Sequence, residues 1–312
     1  MIFDELNSLG KKREPFLVIS DFMAKNIKVV LLSKLKESDI EFCIDENYIF
    51  RQHKHSLIKY PLSFEEYKKK FDLVIEQIKA GNTYLLNLTQ PTLVEATLNL
   101  KEIYTLANAR FKIRYKDEFV CFSPERFVSI KNSKIDTFPM KGTIDASLPN
   151  ARELILNNQK EMAEHIMVVD LLRNDLSMVA SNVMVDKFRY VTQIDSGSKK
   201  LLQVSSHISG DLDENWHENI GTFLKKLLPA GSISGTPKRS TLKIIDKIEG
   251  YERGYFSGIF GVYDGKSFDS AVMIRFIEKT KVGYIYKSGG GITLDSDVRS
   301  EYQELLDKVY IP

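Results

Sequence analysis

Between residues 110 and 140, four short apolar-rich runs, RFKIRY, EFVCFS, RFVSIKN and KIDTFP, are separated only by polar turns such as Lys116-Asp117 and Asn132-Ser133. A parallel crossover takes a dozen or more residues, so neighbouring runs this close pair antiparallel. The pattern returns as FSGIFGVYD, SFDSAVMIRFIE and KVGYIYKS, with Asp264-Gly265 in one of the turns. It also occurs earlier, in FLVIS, KVVLL, EFCID and NYIFR between residues 15 and 62. Helical patterns lie outside these runs. Ser63 and Glu66 form a capping box ahead of Tyr67, Phe71, Val74 and Ile78, and Gly81 ends that helix. TYLLNLTQ follows as a strand, and further helices are predicted over about 98–109, 150–176, 215–228 and 296–309. One more opens at Thr236-Pro237, with Thr as N-cap and Pro at N1, and runs to about Glu249. No βαβ rhythm appears, so the pattern predicts an α+β fold of antiparallel sheets packed under helices.

The 312 residues suffice for one large domain or two modest ones. A net charge of +2 is too small to argue for nucleic acid or an anionic membrane surface as partner. No uninterrupted apolar run approaches the roughly 18 residues of a membrane-spanning helix. The opening MIFDELNSLGKKREPF has no apolar core of the secretory kind. Cys43 and Cys121 lie singly in apolar strand-like runs without metal spacing, which fits buried thiols in a reducing cytoplasm.

Two acidic pairs stand out. Glu161 and Glu164 share one helix face by their spacing, and Glu301 and Glu304 repeat the arrangement on the last predicted helix. If those faces met, the carboxylates would suit a hard dication such as Mg²⁺; otherwise they are two solvated faces. Gly289-Gly290-Gly291 follows a strand and could bring backbone N–H groups close to an anion, although turn glycines are common and the GxGxxG fingerprint is absent. PAGSISGTPKRST fails the phosphate-loop spacing but still delivers a helix N-terminus. Arg275, in AVMIRFIE, is either solvent-facing or a partner for a carboxylate, and Lys308 carries the same alternatives. Glu125, in FSPERF, precedes Lys141 by 16 residues, and one hairpin would bring them side by side, as acid and nucleophile or as a salt bridge. Lys141 itself sits in TFPMKGTIDAS, between apolar Phe138-Pro139-Met140 and Gly142-Thr143.

These motifs, in this order, resemble the chorismate-utilising enzymes, the synthase subunits for anthranilate, aminodeoxychorismate, isochorismate and salicylate. The resemblance covers roughly residues 63–310 and is carried by GNTYLLNLTQP, FSPERF, PMKGT, AEHIMVVDLLRNDL, LLPAGSISGTPK, RGYFSGIFGVYD, MIRFIE, SGGGI and SEYQELLDK. It implies one αββα chorismate-binding domain over residues 1–312, with 63–312 as catalytic core and 1–62 as a shortened N-terminal region. By position it assigns Glu161, Glu164, Glu301 and Glu304 to a Mg²⁺ shell. It gives Thr143, Thr236, Arg275, Gly289, Gly290, Gly291 and Lys308 to substrate binding, and Glu125 to protonation of the departing C4 hydroxyl.

A lysine between PM and GT marks the aminodeoxychorismate-forming branch; anthranilate- and isochorismate-forming relatives typically have a small residue there. The resemblance implies that Lys141 attacks C2 of chorismate as the C4 hydroxyl leaves, after which ammonia adds at C4 and expels the lysine. An amine attacks only when unprotonated, and poorly hydrated surroundings favour that state, which would explain the apolar neighbours. Leu85 stands where water-adding relatives carry a lysine base and where ammonia-using ones usually have glutamine. Gln203 stands where the family has a histidine, with His207 as the nearby alternative, and Phe256 replaces the usual tyrosine or tryptophan.

The expected role is aminodeoxychorismate synthase component I in p-aminobenzoate and folate synthesis. Neither cysteine has a glutaminase-like Gly-x-Cys-x-Gly setting, so ammonia is expected from a separate glutamine amidotransferase subunit (component II). The lyase that releases pyruvate is also expected elsewhere. The alternatives are an anthranilate synthase large subunit and a catalytically silent chorismate-binding scaffold.

Overall fold

The hairpin turns form as their residues dictate. Lys116, Asn132 and Ser133 adopt left-handed φ of 50°, 50° and 55°, the conformation that tight two-residue turns require. In the computed structural model, which describes residues 2–45, 57–195 and 200–312, the strands on either side pair antiparallel throughout. The predicted strand NYIFR lies outside the described residues.

The chain groups into two compact units, each made of three stretches. The first comprises Met1–Glu37, Glu125–Ser232 and Gly258–Val272; the second comprises Ser38–Pro124, Ile233–Ser257 and Met273–Pro312. Eight α-helices are described: α1 Ile2–Lys11, α2 Phe64–Lys79, α3 Leu100–Leu106, α4 Ala151–Asn157, α5 Gln159–Ser177, α6 Ile220–Leu227, α7 Lys238–Glu249 and α8 Val298–Asp307. None of the described helices is long and apolar enough to cross a membrane.

The first unit carries one antiparallel sheet. Across it run Ile27–Leu31, Phe16–Ser20, Ile259–Tyr263, Phe268–Val272, Arg126–Lys131, Lys134–Thr137, Lys200–Asp211 and Ser181–Asp195. Met140–Asp145 continues from Lys134–Thr137 along the same edge of Lys200–Asp211, and Ser206 N–H bonds to Pro139 O between the two pairings. The long hairpin 181–211 was not foreseen from sequence, and neither was α1. That helix packs on α6 and on the 3₁₀ turn Trp216–Asn219 before it: a Cβ on Gly10 would stand 1.9 Å from His217 O, and one on Gly221 would stand 1.9 Å from Phe3 O.

The second unit carries the other antiparallel sheet, in the order Gly235–Thr236, Leu85–Ala96, Gly283–Ile292, Phe276–Thr280, Phe119–Ser123, Phe111–Tyr115, Ile40–Ile44. Its core includes Leu100 and Ile103 of α3 packed with Val120, Phe122, Ile277, Tyr286 and Val309, all at most 1% exposed. The predicted capping box forms: Ser63 Oγ accepts from Glu66 N–H, and the Glu66 carboxylate returns to Ser63 N–H at 3.0 Å. Tyr67, Phe71, Val74 and Ile78 form the buried face of α2.

Three elements differ from the sequence expectation. The helix predicted over 150–176 is two, because Asn158 is extended (φ −67°, ψ 111°) and its side chain accepts from Glu161 N–H, starting α5 afresh. SFDSAVMIRFIE is not one strand. It breaks at Met273–Arg275, where Arg275 has φ +55°, and its halves join different sheets. Thr236 is not the N-cap of α7; it pairs as a strand with Leu85, and Pro237 takes the cap position.

Candidate active site

In the first unit, the Asn158 break puts Glu161 in the first turn of α5, where the N-terminal end of the helix dipole favours a carboxylate. Glu164, one turn on, is 7% exposed, and burial raises its carboxyl above the usual range while Lys141 opposes the shift. Met140–Asp145 runs beside this helix with a bulge between Met140 and Thr143. Gly142 takes φ +84°, and a Cβ on it would lie 3.4 Å from Glu161 Oε2. A bulge re-aims the neighbouring side chain. Here Lys141 Nζ lies 3.4 Å from Glu164 Oε2, with the lysine side chain 20% exposed. Lys160 Nζ stands 4.0 Å from the other Glu164 oxygen. Lys141, Glu161 and Glu164 are therefore neighbours, while Thr143, just past the bulge, is exposed and pairs with Gln203.

Of the residues flanking Lys141, Phe138 has a partner of its own. Phe138 stacks flat on His207 at 4.7 Å, and the Arg126 guanidinium lies 5.6 Å from the same ring. His207 bonds to Asp136 at 2.7 Å. Its neighbour in sequence, Ser206, contacts His165 Nε2 at 2.6 Å. His165 is fully buried behind Glu164 and is held near pKa 4 by burial and by the charges of Arg189 and Lys141. His165 and Ser206 were not singled out from sequence; only the apolar run after Glu164 hinted that this helix face is inside.

Glu125 stands at the head of Arg126–Lys131. Ser129 faces Asp136 and Ile130 faces Ile135, so Arg126–Lys131 and Lys134–Thr137 form a hairpin between Glu125 and Lys141. Ser232 Oγ donates a short hydrogen bond to Glu125 Oε1, a partner that sequence reasoning missed.

In the second unit, Gly289, Gly290 and Gly291 form no nest. They lie in the strand Gly283–Ile292, paired with Thr89, Leu88 and Asn87. The pairing on that strand's other edge ends at Lys287, and Lys308 Nζ donates to Gly289 O at 2.8 Å. Gly290 faces α8. A Cβ there would lie 3.2 Å from Glu301 Oε2 and 3.3 Å from Glu304 Oε1, so those two oxygens are no more than 6.5 Å apart. Glu301 is 4% exposed and accepts from Ser296 Oγ at 2.8 Å, whereas Glu304 is half-exposed and pairs with Lys308 at 2.6 Å. The two carboxylates, with burial as the larger cause, push the Tyr67 phenol upward.

Arg275 Nη1 donates to Tyr310 OH and its guanidinium lies 4.9 Å from that ring. Arg275, Arg299, Glu304, Lys308 and Tyr310 line an open cleft of about 710 Å³. Leu85 is buried beside Thr236, so no base occupies that position, and Phe256 packs on Phe276.

Among the described residues no three His, Cys, Asp or Glu side chains gather as they would around a metal ion. Each unit carries a glutamate pair of its own, with one member buried, and carboxylate oxygens suit a hard cation such as Mg²⁺ rather than a soft one.

The chain is similar to known proteins over nearly all of its length. Residues 33–311 match the family described as chorismate binding enzyme. An uncharacterized PabA-like protein of Haemophilus influenzae is 46% identical over 313 residues, covering 99% of this chain and 95% of that protein. Aminodeoxychorismate synthase component 1 of Escherichia coli is 32% identical over 261 residues, 78% of this chain and 56% of that protein. MenF, the menaquinone-specific isochorismate synthase of Escherichia coli, shares the fold, with a TM-score of 0.74 and 15% identity over 97% of this chain and 79% of MenF. The α+β architecture of two antiparallel sheets with helices is that of the chorismate-utilising enzymes, and the chain belongs to the chorismate binding enzyme family.

Proposed function

We propose that this chain is the chorismate-aminating component of an aminodeoxychorismate synthase, forming 4-amino-4-deoxychorismate from chorismate and ammonia. The observation that carries the proposal is Lys141. It is four-fifths buried, turned by a bulge onto α5, and its amine stands 3.4 Å from Glu164. A surface lysine with no task needs none of these features.

In this reaction the Lys141 nitrogen lone pair forms a bond to C2 of chorismate. Both ring double bonds shift towards C4, and the C4 hydroxyl leaves as water with a proton from Glu125. Ammonia then adds at C4 and the C2–N bond breaks, returning its electron pair to Lys141. Arg275, Lys308, Thr143, Thr236 and the backbone of Gly289, Gly290 and Gly291 would receive the carboxylates and hydroxyls of the substrate. Glu161, Glu164, Glu301 and Glu304 would hold Mg²⁺, which supplies positive charge to anchor a substrate carboxylate. Leu85, buried and without a titratable group, favours an added nucleophile other than water.

Cys43 and Cys121 are both buried thiols, which accords with ammonia arriving from a separate glutamine amidotransferase. The product would feed p-aminobenzoate synthesis in the cytoplasm. The test is incubation of pure protein with chorismate, Mg²⁺ and ammonium. A product that becomes p-aminobenzoate only after an aminodeoxychorismate lyase is added is expected. Direct accumulation of anthranilate would overturn the proposal, and so would ligand binding without turnover.

A further inference from the structure

The carboxyl assigned to protonate the departing hydroxyl is gripped by a residue distant in sequence. Glu125 is fixed at its backbone, where its carbonyl accepts from Val272 N–H at 3.1 Å. Its side chain is fixed by the short hydrogen bond that Ser232 Oγ donates to Oε1. Ser232 lies in the turn Gly231–Ile233, and the turn is seated against α5. A Cβ on Gly231 would stand 2.7 Å from Asp175 Oδ2 and 3.1 Å from Leu171 Cγ, so the backbone there touches the helix that also carries Glu161 and Glu164.

From this geometry we infer that Ser232 is a positioning residue for Glu125. Its hydroxyl holds Oε1 and so fixes the orientation from which the carboxyl delivers its proton. The inference rests on Glu125 being the general acid. In the step itself, the O–H bond of the Glu125 carboxyl breaks and its proton joins the hydroxyl oxygen at C4. The C4–O bond breaks with its electron pair going to that oxygen, water leaves, and Glu125 remains as carboxylate. A hydroxyl donor stabilises a carboxylate more than it stabilises the neutral acid. Ser232 therefore contributes more after proton transfer than before it, which is the difference that accelerates a step.

The experiment compares wild type, Ser232→Ala and Ser232→Thr. Ser232→Ala is expected to lower kcat about 10- to 100-fold with KM for chorismate changed no more than about twofold. Loss of a donor to the charged form raises a carboxyl's pKa, so the high-pH limb of the rate profile moves to higher pH by about one unit. Ser232→Thr, which keeps the hydroxyl, restores both quantities. The Glu125 carboxyl pKa is also read directly by ¹³C NMR, with Glu125→Gln to assign the signal, and this needs no turnover. The inference is overturned if that pKa is the same in Ser232→Ala as in wild type. It is equally overturned if kcat falls while the limb stays in place, which marks a merely structural role. Should wild type make anthranilate instead, the amination proposal fails while the Ser232 comparison still reads out, since the C4 hydroxyl departs there too.

Discussion

Replacing Gly290 by alanine places a methyl group 3.2 Å from Glu301 Oε2 and 3.3 Å from Glu304 Oε1, inside the distance of ordinary carbon–oxygen contact. Both carboxylates must withdraw by a few tenths of an ångström. Glu304 is half-exposed and swings easily, while Glu301 is buried and tied to Ser296. The fold therefore loses little, and stability should change by less than about 1 kcal/mol. If these glutamates hold Mg²⁺ as proposed, its affinity should fall about 10- to 100-fold, because Mg²⁺ tolerates displaced ligands poorly. Gly289→Ala makes the same chemical change one residue away with the opposite outcome. Its Cβ would stand 2.3 Å from Leu88 O and 2.6 Å from Thr89 Cα, both backbone atoms of the paired strand. The strands have to part, at a cost of about 1–3 kcal/mol or more. Thermal melting monitored by circular dichroism reads the first quantity, and Mg²⁺ titration by calorimetry reads the second. The reasoning fails if Gly290→Ala binds Mg²⁺ as tightly as wild type, or if it lowers the melting temperature as much as Gly289→Ala does.

Lys141→Ala should abolish aminodeoxychorismate formation while leaving the fold intact, since the side chain contributes one partly exposed ion pair; full activity in the product assay would refute covalent attack. Stability should fall as the pH is lowered. His165 and His217 titrate near 4 in the fold, chiefly because burial disfavours their charged form, against about 6.5 when unfolded. A depressed folded pKa gives stability that is fully present above pH 6.5 and lost as the pH falls towards 4, on the order of 2–3 kcal/mol for His165 alone. Glu164, with its carboxyl raised by burial, works in the opposite sense within that range. Urea midpoints at pH 7 and pH 4.5 check this, and His165→Gln should flatten the difference. Ser63→Ala removes the capping box of α2 and should cost about 0.5–2 kcal/mol in urea unfolding at unchanged m-value.

What was legible in the sequence was what neighbouring residues settle between themselves. The capping box at Ser63, the tight turns at Lys116 and Asn132, and the two glutamate pairs all depend on groups a few residues apart. The match of residues 33–311 to a family adds an order of motifs no single window holds. The helix break at Asn158 was within reach, since an asparagine side chain competes with the backbone wherever it can take the third N–H onward.

What the sequence left open was every choice between partners far apart in the chain. Nothing local says that Phe268–Val272 and Phe276–Thr280 belong to different sheets, because each half alternates correctly for either. The triple glycine reads equally as turn or strand until Leu88 and α8 take its two sides. That the Phe138 ring stacks on His207, and that the Lys141 amine lies beside Glu164, no local pattern shows. The grip of Ser232 on Glu125 spans 107 residues and needs Gly231 to sit against α5. Short-range hydrogen bonding and periodicity act before the chain is compact. Which surfaces and charges end up together is decided only when long-range packing selects one arrangement among many that are locally equal.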